Sequence, residues 1–139
     1  QSKVPVYASS QKIAYSKENS LLRYEGDVDI RQGTDRITAG VANIYLKNNN
    51  ELSQTVVENN VVVTQPNRRA VGDWAQFTAE NETVILRGNP ARIEDSESGS
   101  TQGARVTVYL RDKRVINESK SSQTNNGRIR TVYKIKKQE

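Results

Sequence analysis

The residues best suited to acid–base chemistry are carboxylates in close groups. Asp27 and Asp29 stand two positions apart, and Glu94, Asp95 and Glu97 form a second group. On a β-strand, positions i and i+2 share a face, so Asp27 and Asp29 could form a hydrolase pair or bind calcium. They have no third clustered ligand and no partner loop. Solvated strand faces therefore explain these carboxylates more simply than a catalytic or metal site does.

The composition removes most other catalytic chemistry. The chain of 139 residues contains no Cys and no His. Disulfides, thiol chemistry, Cys/His zinc sites and histidine-based acid–base catalysis are thereby excluded. We expect no catalytic residue, no metal and no cofactor, and hence a protein that is not an enzyme.

The charge balance points to an anionic partner. The formal net charge is +5, which suits a phosphorylated lipid, an anionic membrane or nucleic acid. The basic residues are dispersed except for a C-terminal group: Arg128, Arg130, Lys134, Lys136 and Lys137. Alternating Arg and Tyr in this group could stack on bases, but no nucleic-acid-binding motif accompanies them. We expect no nucleic-acid partner.

Period-two alternation of apolar and polar residues dominates the chain and predicts β-strands with one apolar face. Predicted strand segments are 24–31, 61–65, 74–82, 83–87, 105–110 and 128–135. Residues typical of turns or loops separate them at 48–50, 59–60, 65–67, 88–90, 96–103 and 119–127. No apolar run approaches the length of a membrane span. The sequence contains no apolar run typical of a signal peptide and starts with Gln1-Ser2-Lys3, so we expect a processed or trimmed form.

An internal repeat is the strongest pattern in the sequence. Residues 8–19 align with 70–81, and the same offset carries Leu22 and Gly26 onto Val84 and Gly88. Segment 37–46 resembles these units half a period away. A repeated unit that cannot bury its own apolar face must stack on its neighbours, which predicts an elongated all-β body.

Several segments resemble the LptA/OstA-like family in order and spacing. Residues 58–77 read ENNVVVTQPNRRAVGDWAQF and are similar to the family's EGNVxVTQ…RxATGDxAxY, and 84–91 is similar to VVLTGNP. The beginning, 10–15 followed by 24–30, resembles S-D-x-L-x-Y and F-x-G-N-V-x-I. The ending, 127–132, resembles the tail of the family's periplasmic lipopolysaccharide-transport members. The resemblance covers nearly the whole chain.

The resemblance implies an all-β fold, an antiparallel, open-sided β-jelly roll, and we expect residues 1–139 to be one such domain. It implies a periplasmic carrier that binds lipopolysaccharide acyl chains in an apolar groove and joins end to end with like modules. LptC-like and LptD-like modules, or further copies of the chain, would be partners through edge strands. A free bridge, a membrane-anchored LptC-type protein and a domain of a larger fusion all remain open.

Alternation selects the residues expected to face the groove. They are Ile13, Tyr15, Val28, Ile30, Ala42, Ile44, Leu46, Val61, Val63, Ala75, Phe77, Val84, Leu86, Val106, Val108, Leu110, Ile129 and Tyr133. Burying a methylene is worth ~0.8 kcal/mol, so an acyl chain could be held there. The alternative is that these side chains pack only on each other.

Two further expectations concern headgroups and edges. Arg68 and Arg69 follow a turn and could face the phosphates of a lipid headgroup, or could simply keep a hairpin tip soluble. Pro5 weakens the N-terminal edge, whereas segment 129–135 is long and free of Pro, so we expect the C-terminal edge to dock a neighbouring module.

Two rivals remain: a structural or carbohydrate-binding β-protein, with aromatic residues exposed on a flat face, and a glycan-processing enzyme.

Overall fold

The alternating residues form strands throughout, as the period-two pattern predicts. A computed structural model describes residues 4–48, 50–109, 114–118 and 130–133. The elements are β1 (Val6–Ser9), β2 (Lys12–Ser16), β3 (Leu21–Gln32), β4 (Asp35–Leu46), β5 (Leu52–Gln65), β6 (Arg68–Thr78), β7 (Thr83–Asp95), β8 (Gly99–Tyr109), β9 (Arg114–Glu118) and β10 (Arg130–Tyr133). In the part of the chain so described, no helix is long and apolar enough to cross a membrane.

All ten strands of the described residues belong to one antiparallel sheet. Its order is β1-β3-β4-β5-β6-β7-β8-β10, with β2 also pairing with β3 and β9 also pairing with β8. Chain neighbours are sheet neighbours from β3 to β8. The predicted all-β fold, an antiparallel open-sided jelly roll, is confirmed.

A line of β-bulges crosses the sheet at the middle of every long strand. The register shifts between Glu25 and Val28, Thr38 and Val41, Glu58 and Val61, Val71 and Trp74, and Arg87 and Ala91. A bulge bends its strand and increases the local twist. Because the bulges are in line, the whole sheet folds along them, and we call this line the crease.

The residue types at the crease explain why the strands bend there. Gly26 has a φ of 86° and is followed by Asp27 at 46°, while Asn59 and Asn60 have φ values of 72° and 52°. Glycine and asparagine tolerate this left-handed region better than other residues do. The expected turn at 59–60 is therefore wrong, since both asparagines lie inside β5 as a bulge.

Two other expected irregular segments are also strand. Residues 88–90 lie within β7 at the crease, and the expected loop at 96–103 shortens to the turn that precedes β8 at Gly99. Segment 74–82 is strand only to Thr78, where β6 ends. The expected loop at 119–127 lies outside the described residues.

At Gly72, the crease leaves no room for a side chain. A Cβ at this position would lie 2.6 Å from the backbone oxygen of Arg87 and 2.9 Å from Cδ1 of Leu86. The backbones of β6 and β7 therefore approach each other more closely at the bulge than a side chain at this position would allow.

The crease divides the sheet into two walls. Wall one contains β2, β9 and segments 21–25, 41–46, 52–58, 74–78, 83–87 and 105–109; wall two contains β1, β10 and segments 28–32, 35–38, 61–65, 68–71, 91–95 and 99–103. Their inner faces supply the core, including the fully buried Val28, Val57, Val61, Leu86 and Val106. This core is concentrated beside the crease.

The structure explains the sequence repeat. Ala8 of β1 and Ala70 of β6 lie on wall two, and Tyr15 of β2 and Phe77 of β6 lie on wall one. Each aligned segment therefore runs from wall two to wall one across the crease. The first does so as the β1–β2 pair, and the second does so as β6. Each repeated unit contributes to both walls.

Candidate functional site

A cavity lies between the two walls. Its volume is about 350 Å³, at the lower end of the ~300–1,000 Å³ range of small-molecule sites. Both walls line it, which shows that their inner faces oppose each other. Aliphatic and aromatic side chains form most of the lining.

Half of the residues expected to face a groove line this cavity. They are Ile30, Ile44, Leu46, Val63, Ala75, Phe77, Val84, Leu86 and Val108. Four more, Val28, Ala42, Val61 and Val106, are buried in the core beside the crease and do not line the cavity. For these four, packing within the sheet is the better description.

Ile13 and Tyr15 are on the expected face but at its edge. Ile13 pairs with Tyr24 and Tyr15 with Leu22, both of which line the cavity. Paired residues of antiparallel strands share a face, so Ile13 and Tyr15 are on the inner side. They are 59% and 56% exposed because β2 is the last strand of wall one. Leu110, Ile129 and the side chain of Tyr133 lie outside the described residues.

The structure adds lining residues that sequence reasoning missed. Apolar examples are Val6, Ala8, Leu22, Tyr24, Ile37, Leu52, Val57, Ala70 and Ile93. Most of these residues lie on one side of the crease, whereas the residues that the sequence predicts on the same strand lie on the other side. On β4, for example, the lining includes Ile37 and Ile44, which are in opposite phases of a two-residue period.

Polar side chains occupy one rim of the cavity, at the hairpin ends of wall two. Gln32, Asp35, Gln65 and Arg68 line it there. Gln32 pairs with Asp35, Gln65 with Arg68, and Arg68 with Asp95. Arg36, which follows Asp35 and also lines the cavity, pairs with Thr64 beside Gln65, so Gln32, Asp35, Gln65, Arg68 and Asp95 form one row across the strands. We call this row the polar lip.

Arg68 and Arg69 do not act together. Arg68 faces the cavity, and its Nε donates to Oδ2 of Asp95 at 3.2 Å, with side-chain exposures of only 13% and 15%. Arg69 is the next residue on the strand, so it is on the outer face, where it is exposed. Arg68 and Arg69 therefore lie on opposite faces of the sheet and do not face the same lipid headgroup.

Asp95 is held as a carboxylate by its neighbours. Burial opposes its ionisation, but the backbone N–H groups of Glu97 and Ser98 and the guanidinium of Arg68 outweigh this effect and lower the pKa of Asp95. Asp95 therefore closes the β7–β8 turn and neutralises Arg68 at the same time.

The remaining carboxylates of the suspected catalytic groups are engaged in structural contacts. Asp29 receives two forked pairs of hydrogen bonds, from Arg36 at 3.1 and 2.9 Å and from Arg31 at 3.2 and 3.1 Å. Asp27 accepts from Nε2 of Gln11, and Glu94 pairs with Arg92. Within the described residues, no group of three or more acidic side chains is arranged to hold a metal ion.

The Asp29 cluster makes stability depend on pH in a defined direction. Hydrogen bonds from Arg36, then from Arg31, lower the pKa of Asp29 well below its usual range. A lowered pKa in the folded state stabilises the protein above the unfolded value of ~3.9, and this stabilisation is lost as the pH falls through the folded value. Asp29→Asn should therefore cost up to about 1 kcal/mol at pH 7 and progressively less below pH ~4.

Urea unfolding of both proteins between pH 7 and pH 2.5 measures this difference. Asp27→Asn is the matched control, because the partner of Asp27 is the neutral Gln11. A deficit for Asp29→Asn that stayed constant over the whole pH range would contradict the assignment.

Comparison with known proteins gives two findings. The model of the family described as "LptA/(LptD N-terminal domain) LPS transport protein" matches residues 6–114. The crystal structure of LptH from Pseudomonas aeruginosa, described as the LptA homologous periplasmic component of the conserved lipopolysaccharide transport device, is similar with a TM-score of 0.81. The identity is 17%, with 95% of this chain and 96% of that chain covered. This similarity concerns the fold. No curated protein sequence matches the chain significantly.

Proposed function

Because the chain belongs to the LptA/LptD N-terminal domain family of lipopolysaccharide transport proteins, we propose that it carries lipopolysaccharide through the periplasm. In this proposal residues 1–139 act as one module, without catalysis. The acyl chains lie between the two walls and the sugars lie outside. The observation that carries the proposal is the apolar cavity lined from both walls.

The energetics suit a carrier. An acyl chain of roughly a dozen carbons gains ~10 kcal/mol on burial at ~0.8 kcal/mol per methylene, before the cost of ordering the chain and the protein. A cavity of about 350 Å³ encloses only part of a lipid with several such chains. Partial enclosure would keep binding strong enough for capture and weak enough for onward transfer.

The placement of Phe77 favours this function over the rival of a carbohydrate-binding surface. That rival requires aromatic residues exposed on a flat outer face, whereas Phe77 lines the cavity; Tyr7 is exposed on the outer face, but at the β1 edge of the sheet. Trp74 is on the outer face, but the guanidinium of Arg87 lies 4.5 Å above its ring. Arg87 therefore covers one face of this ring.

Site-specific photo-crosslinking tests the proposed function. A benzophenone amino acid at Ile44 should capture lipopolysaccharide, because Ile44 lines the cavity at wall one. The same group at Asn43 is the matched control, since Asn43 is the preceding residue of β4 and is on the outer face, where it accepts a hydrogen bond from Arg23. Adducts are detected as mass-shifted protein on a denaturing gel.

We expect adducts at Ile44 that exceed those at Asn43 by about tenfold or more. Equal labelling at the two positions, or none at either, would refute lipid binding between the walls.

The ends of the sheet support end-to-end assembly. Six large hydrophobic residues are exposed in the described part of the chain: Val4, Val6, Tyr7, Ile13 and Tyr15 at the β1–β2 end, and Val115 at the β9 end. Each end has one short strand per wall. A second module placed there would continue both walls and the groove between them.

We therefore propose that the β1–β2 end of one module docks on the β9–β10 end of the next, in copies of this chain or in LptC-like and LptD-like partners. The sequence pattern favoured the C-terminal edge alone. The exposed apolar residues add the N-terminal edge, in spite of Pro5. The side chains of β10 lie outside the described residues.

Sedimentation equilibrium tests this assembly. The double variant Ile13→Lys/Tyr15→Lys should weaken self-association by at least about tenfold, because two charges would have to be desolvated in the contact. Removal of residues 128–139 should weaken it as well. Thr64→Lys, on an exposed outer position of the central β5, should associate like the parent. A parent chain that stays monomeric, or a double variant that associates normally, would exclude homo-oligomerisation through these edges.

A further inference from the structure

The two rims of the cavity differ in chemistry. On wall two the rim is the polar lip, formed by Gln32, Asp35, Gln65, Arg68 and Asp95. The facing rim on wall one is formed mainly by apolar side chains that line the cavity: Leu22, Ile44, Leu46, Leu52, Phe77 and Val84. Asn50, in the turn before β5, is a polar exception on that side. An amphipathic molecule between the walls would therefore meet one polar and one apolar rim.

Two side chains of the polar lip have hydrogen-bonding groups that no partner in the described part of the chain uses. Asp35 and Gln65 are half-buried and line the cavity. Among the described residues, Asp35 makes no ion pair and the Gln65 side chain makes no hydrogen bond. A carboxylate accepts hydrogen bonds, and an amide both donates and accepts them. A ligand rich in hydroxyl groups would satisfy both side chains.

The charge of the lip disfavours a phosphate. Its ionised groups are two carboxylates, Asp35 and Asp95, and one guanidinium, Arg68, which is already paired with Asp95. Arg36 also lines the cavity, but its guanidinium is engaged by Asp29 on the outer face. Among the five lip residues, the charge left over is therefore the negative charge of Asp35, which repels an anion and accepts from a sugar hydroxyl.

We propose that the polar lip binds the sugar of a glycolipid headgroup, so that the lipid enters the groove in one orientation, with its saccharide against wall two and its acyl chains toward wall one. Asp35 and Gln65 are the positions that select a sugar over a phosphate. This inference rests on the proposed function, because it requires an acyl chain between the walls.

Two detergents with the same tail test the lip separately from the groove. Dodecyl maltoside and dodecyl phosphate share a twelve-carbon chain and differ in the headgroup. Each is titrated below its micelle-forming concentration at pH 7, and binding is followed by backbone amide chemical shifts. The parent chain should bind the maltoside at least about tenfold more tightly than the phosphate.

The double variant Asp35→Leu/Gln65→Leu should lose this preference while still binding both tails. Thr64→Leu, on the exposed outer position next to Gln65, should keep it, and thermal unfolding confirms that each variant is folded. Equal binding of the two detergents by the parent, or a preference that survives in the double variant, would overturn the inference and leave the proposed function intact. Binding of neither detergent would refute both.

Discussion

Replacement of Phe77 by aspartate should reduce lipopolysaccharide binding by about 30-fold or more. Phe77 lines the cavity on wall one and is paired across the sheet with Thr55 and Val84. An ionised carboxylate at this point has no cation beside it among these neighbours. Each acyl chain that entered would strip water from the charge, and desolvation of an unpaired polar or charged group costs roughly 2 kcal/mol or more. That cost corresponds to the expected loss of affinity.

The experiment compares Phe77→Asp with Gln76→Asp. Gln76 is the preceding residue of β6 and is on the outer face of the same wall, so its replacement adds the same charge outside the cavity. Binding of fluorescent lipopolysaccharide is measured by anisotropy, and circular dichroism checks the fold. Because Phe77 is only half-buried, Phe77→Asp should remain folded at room temperature. Equal affinities for the two variants would mean that the lipid does not pass Phe77.

The largest effect on stability is expected at Gly72, in the crease. Gly72→Ala would place a methyl group 2.6 Å from the carbonyl oxygen of Arg87 and 2.9 Å from Cδ1 of Leu86. The backbone oxygen cannot move without distorting the β6–β7 bulge, and Leu86 is fully buried. Overpacking of this kind costs about 1–3 kcal/mol, sometimes more. For a chain of this size we expect Tm to fall by roughly 10 °C.

The control for Gly72→Ala is Asp73→Ala. Asp73 is the next residue of the same bulge and is exposed, so its replacement should change the free energy of unfolding by less than about 0.5 kcal/mol. Differential scanning calorimetry gives Tm for both. A Gly72→Ala protein that melts within about 2 °C of the parent would show that β6 and β7 can separate at the crease without cost.

The strands could be predicted from the sequence, but their lengths could not. The two-residue period predicts strands at 61–65 and 83–87, whereas β5 runs from Leu52 to Gln65 and β7 from Thr83 to Asp95. The asparagines at 59–60 and the Gly-Asn-Pro at 88–90 resemble turns because turns and bulges need the same backbone conformations. The sequence pattern therefore predicts that these strands end at the crease.

Because the predicted strands end at the crease, the sequence predicts only some of the residues that line the cavity. On β3 to β7, the residues expected to face the groove lie on one side of the crease, and further residues on the other side also line the cavity. On β4, Ala42 and Ile44 were expected inside, but Ile37 was not. On β4, β6 and β7 the inward side chains change between odd and even positions across the crease, so a local two-residue period does not extend over the bulge, whereas on β3 and β5 the parity is kept.

Alternation and repetition by themselves determined that the chain forms stacked strands with one apolar face, because side-chain direction in a strand is a local property. The tertiary structure alone decided that the sheet folds at one crease, that the walls enclose a cavity, and that its two rims differ. It also paired Arg68 with Asp95 on the neighbouring strand. These features depend on residues distant in the chain, whose approach is set by strand register and not by any local pattern.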